Sequence, residues 1–172
     1  MHKILALLLI CIVVSVGYSA RANPLTPTGI GVQLSFVGGP LVSLVVNVEL
    51  PREFLLNLSL GGFPGILLRA EANLRYYFLK YAAIAYAGWR PYAQLGLGYV
   101  RIFRSNLSYN EVKEIHVNGG LAYKGFPALT LSADVGLLWA PPAVNPQMRE
   151  EFPDELLIVP MIGIEAVYEL QE

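Results

Sequence analysis

The sequence predicts an all-β fold: an eight-stranded antiparallel up-and-down barrel that crosses a membrane on its strands. Three observations point there. The first is alternation. In residues 68–78 one face carries Leu68, Ala70, Ala72, Leu74, Tyr76 and Phe78, and the other carries Arg69, Glu71, Asn73, Arg75 and Tyr77. Successive side chains of a strand point to opposite faces, so this stretch has one apolar wall and one charged wall. The second is composition: 55% of residues are hydrophobic and 15% charged, against about 25% charged in ordinary soluble domains. The third is the distribution of that apolarity. Past the first segment no apolar run approaches the roughly 20 residues of a membrane helix.

The first segment is a separate element. Met1, His2 and Lys3 give a positive start, residues 4–16 are an apolar core, and Ala20, Arg21 and Ala22 form an Ala-x-Ala end. This describes a secretory signal peptide over residues 1–22, cut after Ala22. Its apolar core is too short to span a bilayer. Cys11 lies inside it, so the processed chain holds no cysteine and relies on no disulfide in an oxidising compartment. Residues 23–172, about 150 in all, suffice for a single domain.

The strands follow in order. From Gly29, the residues Ile30, Val32, Leu34 and Phe36 share one face, and Gly38, Gly39 and Pro40 turn the chain. Val42, Leu44, Val46, Val48 and Leu50 then oppose Ser43, Val45, Asn47 and Glu49. After Pro51, Arg52 and Glu53, the run Phe54, Leu56, Leu58 and Leu60 opposes Leu55, Asn57, Ser59 and Gly61. A turn at Pro64 and Gly65 leads into the fourth strand, residues 68–78. A connection over residues 79–88 precedes Pro91, Ala93, Leu95, Leu97 and Tyr99, set against Tyr92, Gln94, Gly96 and Gly98. Proline suits the beginning of such a strand, where a missing N–H is tolerated. A polar loop is expected over 101–113. Ile115, Val117, Gly119, Leu121 and Tyr123 come next, then a tight turn, then Leu129, Leu131, Ala133, Val135, Leu137 and Trp139. The longest loop is expected over 140–155, and Ile162, Ile164, Ala166, Tyr168 and Leu170 close the set.

Each strand is near the nine to eleven residues that a tilted membrane strand requires. An even count places both ends of the domain on one side and the loops 101–113 and 140–155 together on the other. A soluble lipocalin-like barrel also alternates, with its apolar face inward around an apolar ligand. Two features favour lipid outside. The polar face is poor in the Lys and Glu that keep a soluble barrel in solution, and is instead dotted with Gly31, Gly61, Gly96, Gly98, Gly120, Gly136 and Gly163. Rings on the apolar face (Phe36, Phe54, Tyr76, Phe78, Tyr99, Tyr123, Trp139 and Tyr168) fall toward strand ends, where a lipid–water boundary would lie. On this assignment Leu97 faces lipid and rejects arginine, whereas Gln94 faces the lumen and accepts it.

Residues 74–78 (Leu-Arg-Tyr-Tyr-Phe) and 90–99 (Arg-Pro-Tyr-Ala-Gln-Leu-Gly-Leu-Gly-Tyr) resemble paired strands of small outer-membrane β-barrels of the OmpW, OmpX and OmpA-transmembrane type. The resemblance covers nearly the whole processed chain. It implies an outer-membrane location, contact with outer-membrane lipids and assembly by the barrel-insertion machinery. Gly163, Ala166 and Tyr168 match part of the usual final-strand spacing, but the sequence ends Leu170, Gln171, Glu172 rather than on an aromatic residue.

Eight strands close a tube that side chains can fill. The inward set holds the charged and titratable residues Glu49, Arg69, Glu71, Arg75, Glu114, His116, Lys124, Asp134, Glu165 and Glu169. These must be paired or hydrated, because an unpaired buried charge is costly. The expected outcome is an ion-paired interior network with a structural role; the alternative is a narrow path for small solutes or ions, cation-preferring because acids outnumber bases. His116, Ser132 and Asp134 face inward on adjacent strands, which evokes a Ser-His-Asp set. Lipid has no access to them there, so no enzymatic activity is expected. No metal or cofactor site is expected either: the processed chain has one histidine and no cysteine, and the Gly96, Gly98 pair lies within a strand instead of before a helix. The net charge of −1 argues against nucleic acid.

Overall fold

The computed structural model describes residues 27–37, 39–78, 88–103, 110–146 and 158–170. The segment expected to be a signal peptide (1–22), and all but Gly88 of the connection 79–88, lie outside the described residues.

Eight strands follow one another: β1 (Gly29–Phe36), β2 (Pro40–Leu50), β3 (Phe54–Phe63), β4 (Leu67–Tyr77), β5 (Trp89–Ile102), β6 (Glu111–Tyr123), β7 (Leu129–Trp139) and β8 (Ile158–Glu169). Every strand pairs antiparallel with its sequence neighbours, and β1 pairs with β8, so the sheet closes into a barrel with no free edge. Closure leaves a stagger. From Gln33 the ladder runs through Ser43, Gly61, Arg69 and Val100 to Val112 on β6. In the other direction it runs through Glu165 and Ser132 to Ala122 on the same strand, ten residues from Val112. Such a shear tilts the strands and sets which inward residues meet across the tube.

The alternation sorts the two walls as the sequence predicts. The outer wall is apolar and exposed: Leu44, Leu60, Leu95, Val117, Val135, Leu137, Ile162 and Ile164 all stand out from the barrel. The inner wall holds the buried polar side chains, Gln33, Asn57, Arg69, Asn73, Arg75, His116 and Glu165 among them. This is the reverse of a soluble ligand-binding barrel, whose apolar face lines the inside.

Two boundaries differ from the sequence expectation. The hairpin read as a polar loop over 101–113 is strand to Ile102 and again from Glu111, because Arg101 and Glu111 are cross-strand partners joined by an ion pair at 3.5 Å. Likewise β8 begins at Ile158, where Ile158 pairs with Trp139. Charged residues can occupy a strand once the sheet rises clear of its apolar belt, so charge alone did not mark the loop.

β6 extends beyond the last residue of β7, and its unpaired backbone is met by a side chain. Asn145 accepts from the Lys113 N–H at 2.7 Å and donates to the Lys113 carbonyl at 2.9 Å, standing in for a strand neighbour. At the opposite end, Phe54, Tyr76 and Phe78 form one run of ring contacts, with centroids at 4.9 and 5.2 Å. Trp89, Tyr123 and Phe126 form another, at 4.8 and 5.7 Å.

Candidate functional site in the barrel lumen

The lumen is layered along its axis. At the end bearing the long loops, Val100, Val112 and Ala140 pack together with Leu67 and Ile102 against them, and Leu41, Leu138 and Met161 are buried nearby on the same inward faces. Below this apolar cap lies a polar belt. A second apolar layer of Leu55, Tyr77, Tyr92 and Ala122 follows. Past it the tube opens, at the end where β1 begins and β8 finishes, into a vestibule of about 470 Å³.

Two arginines of β4 organise the belt. Arg75 forks onto Glu165, with Nη1–Oε1 at 3.2 Å and Nη2–Oε2 at 3.3 Å, and its Nε donates to Gln94 at 3.0 Å. The guanidinium lies 4.2 Å from the centre of the Tyr92 ring. Glu165 also accepts from Asn57 at 2.8 Å and from Ser132 at 3.4 Å. Arg69 meets two carboxylates, Glu71 at 2.9 Å and Glu114 at 3.0 Å, and its Nη2 lies 3.3 Å from His116 Nε2. Asn73 joins the two groups by donating to Glu71 at 3.2 Å and to Asn57 at 3.5 Å. Asp134 sits apart from both arginines, accepting from Tyr92 at 3.0 Å and Asn118 at 2.9 Å.

Glycines make room for these groups. A methyl on Gly98 would lie 2.9 Å from Glu114 and His116 atoms, one on Gly120 would strike the Tyr92 ring at 2.6 Å, and one on Gly163 would meet Asp134 at 2.8 Å. Of the inward glycines read from the sequence, Gly96, Gly98, Gly120, Gly136 and Gly163 are therefore sockets of large polar side chains, whereas Gly31 lies against Val167 and Gly61 against Ser43.

Of the ten inward residues named from the sequence, seven lie in the belt: Arg69, Glu71, Arg75, Glu114, His116, Asp134 and Glu165. The other three stand at the vestibule. There Lys124 bridges Glu169 at 2.5 Å and approaches Glu49 at 3.9 Å, and Thr130 donates to Glu169 at 2.6 Å. The His116, Ser132, Asp134 set is not assembled. His116 contacts Arg69 and Glu114, Ser132 contacts Glu165, and Asp134 contacts Tyr92 and Asn118. The register explains this: His116 is opposite Leu138, whereas Ser132 is opposite Ala122 at the far end of the same pair of strands. Sequence reasoning did not single out Asn57, Asn73, Tyr92, Gln94 and Asn118 as network members. Their inward parity beside charged neighbours was the available signal. Gln94 in particular is no tolerant filler, since an arginine there would face Arg75.

No known sequence family matches the chain, and no curated protein sequence does. Solved structures do match. The N-terminal β-barrel domain of Pseudomonas aeruginosa OprF aligns over 83% of this chain and 96% of its own, at 16% identity and a TM-score of 0.63. The de novo designed TMB2.3 aligns over 85% and 95%, at 14% identity and a TM-score of 0.55. The fold is that of the small eight-stranded outer-membrane barrels.

Proposed function

We propose that this chain is an integral outer-membrane protein, exported through a cleaved signal peptide over residues 1–22. Its barrel crosses the bilayer with a lumen closed by its own side chains. Its role is non-enzymatic, as a structural element of the membrane or a scaffold that presents loops to a surface partner. Outer-membrane lipids and the barrel-insertion machinery are its expected contacts. The observation that carries this reading is the outer wall: an apolar belt with large side chains exposed all round the barrel, from Leu131 at 38% to Leu44 at 67%. A soluble protein leaves no apolar patch of such extent in water. A bilayer covers it, and an eight-stranded barrel has no sheet edge left to satisfy there.

Fractionation followed by gel electrophoresis with and without boiling tests the placement. A membrane barrel is expected in the membrane fraction, with a mobility that changes on heating in detergent; a soluble chain of fixed mobility refutes it. Leu97→Arg is expected to cost about 2–4 kcal/mol of assembly, the range for a cation facing the bilayer midplane, whereas Leu97→Ile costs little. Equal yields of folded barrel from both would contradict a lipid-facing Leu97.

A second reading keeps the barrel and gives it a narrow cation path. It is favoured by the carboxylate surplus of the belt, where Glu71, Glu114, Asp134 and Glu165 face only Arg69 and Arg75 among the described residues. The apolar layers above and below the belt oppose it, because dry constrictions block ions. Planar-bilayer conductance separates the two: a closed lumen gives no more current than detergent alone.

A further inference from the structure

We propose that the top of the β5–β6 hairpin carries, on its lipid-facing side, a site for the phosphate of an anionic lipid headgroup, formed by Arg101 and Lys113. The site presupposes the membrane placement proposed above. On the outward faces of the eight strands the described residues are uncharged with three exceptions, Arg101, Glu111 and Lys113. All three stand at one end of one hairpin, the end bearing the long loops. Tyr99 lies opposite Lys113 and Leu97 opposite Ile115, so the charges begin where the apolar belt stops. Trp139, opposite Ile115 on β7, marks the same level. Rings of this kind settle at the lipid–water boundary, and the side chains just beyond them meet headgroups.

The register sets the two cations at a spacing that one phosphate can bridge. Arg101 is opposite Glu111, and Lys113 is the diagonal neighbour of Arg101. Diagonal positions of an antiparallel pair lie about 7–8 Å apart, within reach of two long side chains that converge on one group. Both cations keep donors for it. Arg101 reaches Glu111 through Nη1 at 3.5 Å, and a guanidinium has further N–H donors beyond that nitrogen. Lys113 Nζ donates to the Val144 carbonyl at 3.4 Å, which occupies one of the three donors of an ammonium. The Arg101 and Glu111 side chains are 50% and 45% exposed, and water holds such a pair only weakly together. A phosphate therefore joins Arg101 without breaking a buried contact.

Charge and position select the ligand. Two cations against one carboxylate leave one positive charge in excess, and the neighbouring outward residues Leu68, Tyr99 and Ile115 supply none. A group of one negative charge balances the set. At headgroup level the phosphate of an anionic lipid brings that charge, while its acyl chains run down the wall over Tyr99, Leu97 and Ile115. A free anion lacks this second contact, and a zwitterionic lipid carries its own cation beside the phosphate. Arginine contributes a fork of directed donors to phosphate oxygens, and lysine a compact point charge. Glu111 repels the same ligand, so the three residues act with opposite signs.

The two tryptophans of the chain provide the test. Trp139 adjoins the site, diagonal to Lys113, and Trp89 stands outward at the opposite end of the barrel. The folded barrel is placed in vesicles of phosphatidylcholine and phosphatidylglycerol, with bromine on the acyl chains of one lipid or the other to quench any tryptophan it touches. Trp89→Phe isolates the Trp139 signal, and Trp139→Phe isolates that of Trp89. The expected result is an enrichment of phosphatidylglycerol beside Trp139 of about fivefold, the scale of one basic side chain at an anionic surface, with none beside Trp89. Arg101→Gln combined with Lys113→Gln abolishes the enrichment, Glu111→Gln raises it, and added inorganic phosphate leaves it in place. Equal quenching of Trp139 by the two lipids, an equal enrichment at both tryptophans, or its loss to inorganic phosphate each overturns the site alone. If neither lipid quenches either tryptophan, the membrane placement falls and the site with it. The comparison of Trp139 with Trp89 keeps both cations, so it decides even where the double variant fails to fold.

Discussion

Arg75 and Arg69 lie six residues apart on one strand, both almost wholly buried and both facing the same tube, yet the barrel holds them differently. Arg75 is met on every side: a carboxylate fork, an amide oxygen on Nε and an aromatic ring beneath. Arg69 has more charge around it and less order, with two carboxylates, a histidine at 3.3 Å and one Nη left over. The difference follows from who the partners are. Glu165 reaches Arg75 from β8, four strands away on the opposite wall of the barrel, so their pairing ties the middle of the chain to its last strand. Glu71 reaches Arg69 from its own strand and Glu114 from two strands away, so the Arg69 group is local and has alternatives. One arginine fastens the barrel across its lumen; the other sits in a local group with a donor to spare.

The largest expected effect tests that contrast directly. Glu165→Gln removes the only carboxylate paired with Arg75 among the described residues and leaves a buried cation unmatched, a loss of about 3–5 kcal/mol. Glu71→Gln removes one of two carboxylates on Arg69 and keeps an oxygen for Asn73 to donate to; it costs about 1 kcal/mol, the scale of a single net hydrogen bond. Urea unfolding of the micelle-folded barrel measures both. Losses of equal size would abolish the distinction between a fastening arginine and a locally held one.

A smaller effect comes from the sockets. Gly120→Ala drives a methyl into the Tyr92 ring, which is held between Arg75 and Asp134 and has nowhere to move. Overpacking of this kind costs about 1–3 kcal/mol. Gly98→Ala presses on the ends of Glu114 and His116 instead, and these belong to the group with slack, so its loss is expected to be the lesser. Thermal unfolding of the two variants sharpens the comparison; the reverse order would mean that the Arg69 group is the more tightly packed.

The sequence made one level of this organisation readable and concealed the next. Parity alone assigned Arg69, Glu71, Arg75 and Asp134 to the lumen, and the spacing of turns supplied eight strands, because alternation is a local property written along each strand. Partnership is not local. That Arg75 meets Glu165, ninety residues away, depends on the ten-residue stagger with which the barrel closes, and no single strand carries that information. The register of the β6–β7 hairpin separates His116, opposite Leu138, from Ser132, opposite Ala122, although parity had placed them on one wall. The ends of β5 and β6 were missed for a related reason. Arg101 and Glu111 look like loop residues one at a time and like strand residues only as a pair.

The vestibule offers the smallest effect and the limit of the comparison. Lys124 and Glu169 are as close as any pair in the belt, at 2.5 Å, but their side chains are 20% and 35% exposed. Water screens such a pair, and exposed ion pairs contribute about 0–1 kcal/mol. Glu169 also keeps its hydrogen bond from Thr130 when the lysine is gone, so no stranded charge remains. Lys124→Ala is therefore expected to lower stability by less than about 1 kcal/mol, with the difference shrinking further at about 1 M salt, where the screening length falls to about 3 Å. The Glu165→Gln loss, buried in the belt, is expected to persist at that salt. Unfolding both variants at low and high salt reads burial independently of distance: a large, salt-insensitive loss at Lys124 would mean that the vestibule is as closed as the belt, and that the lumen carries a second fastening point.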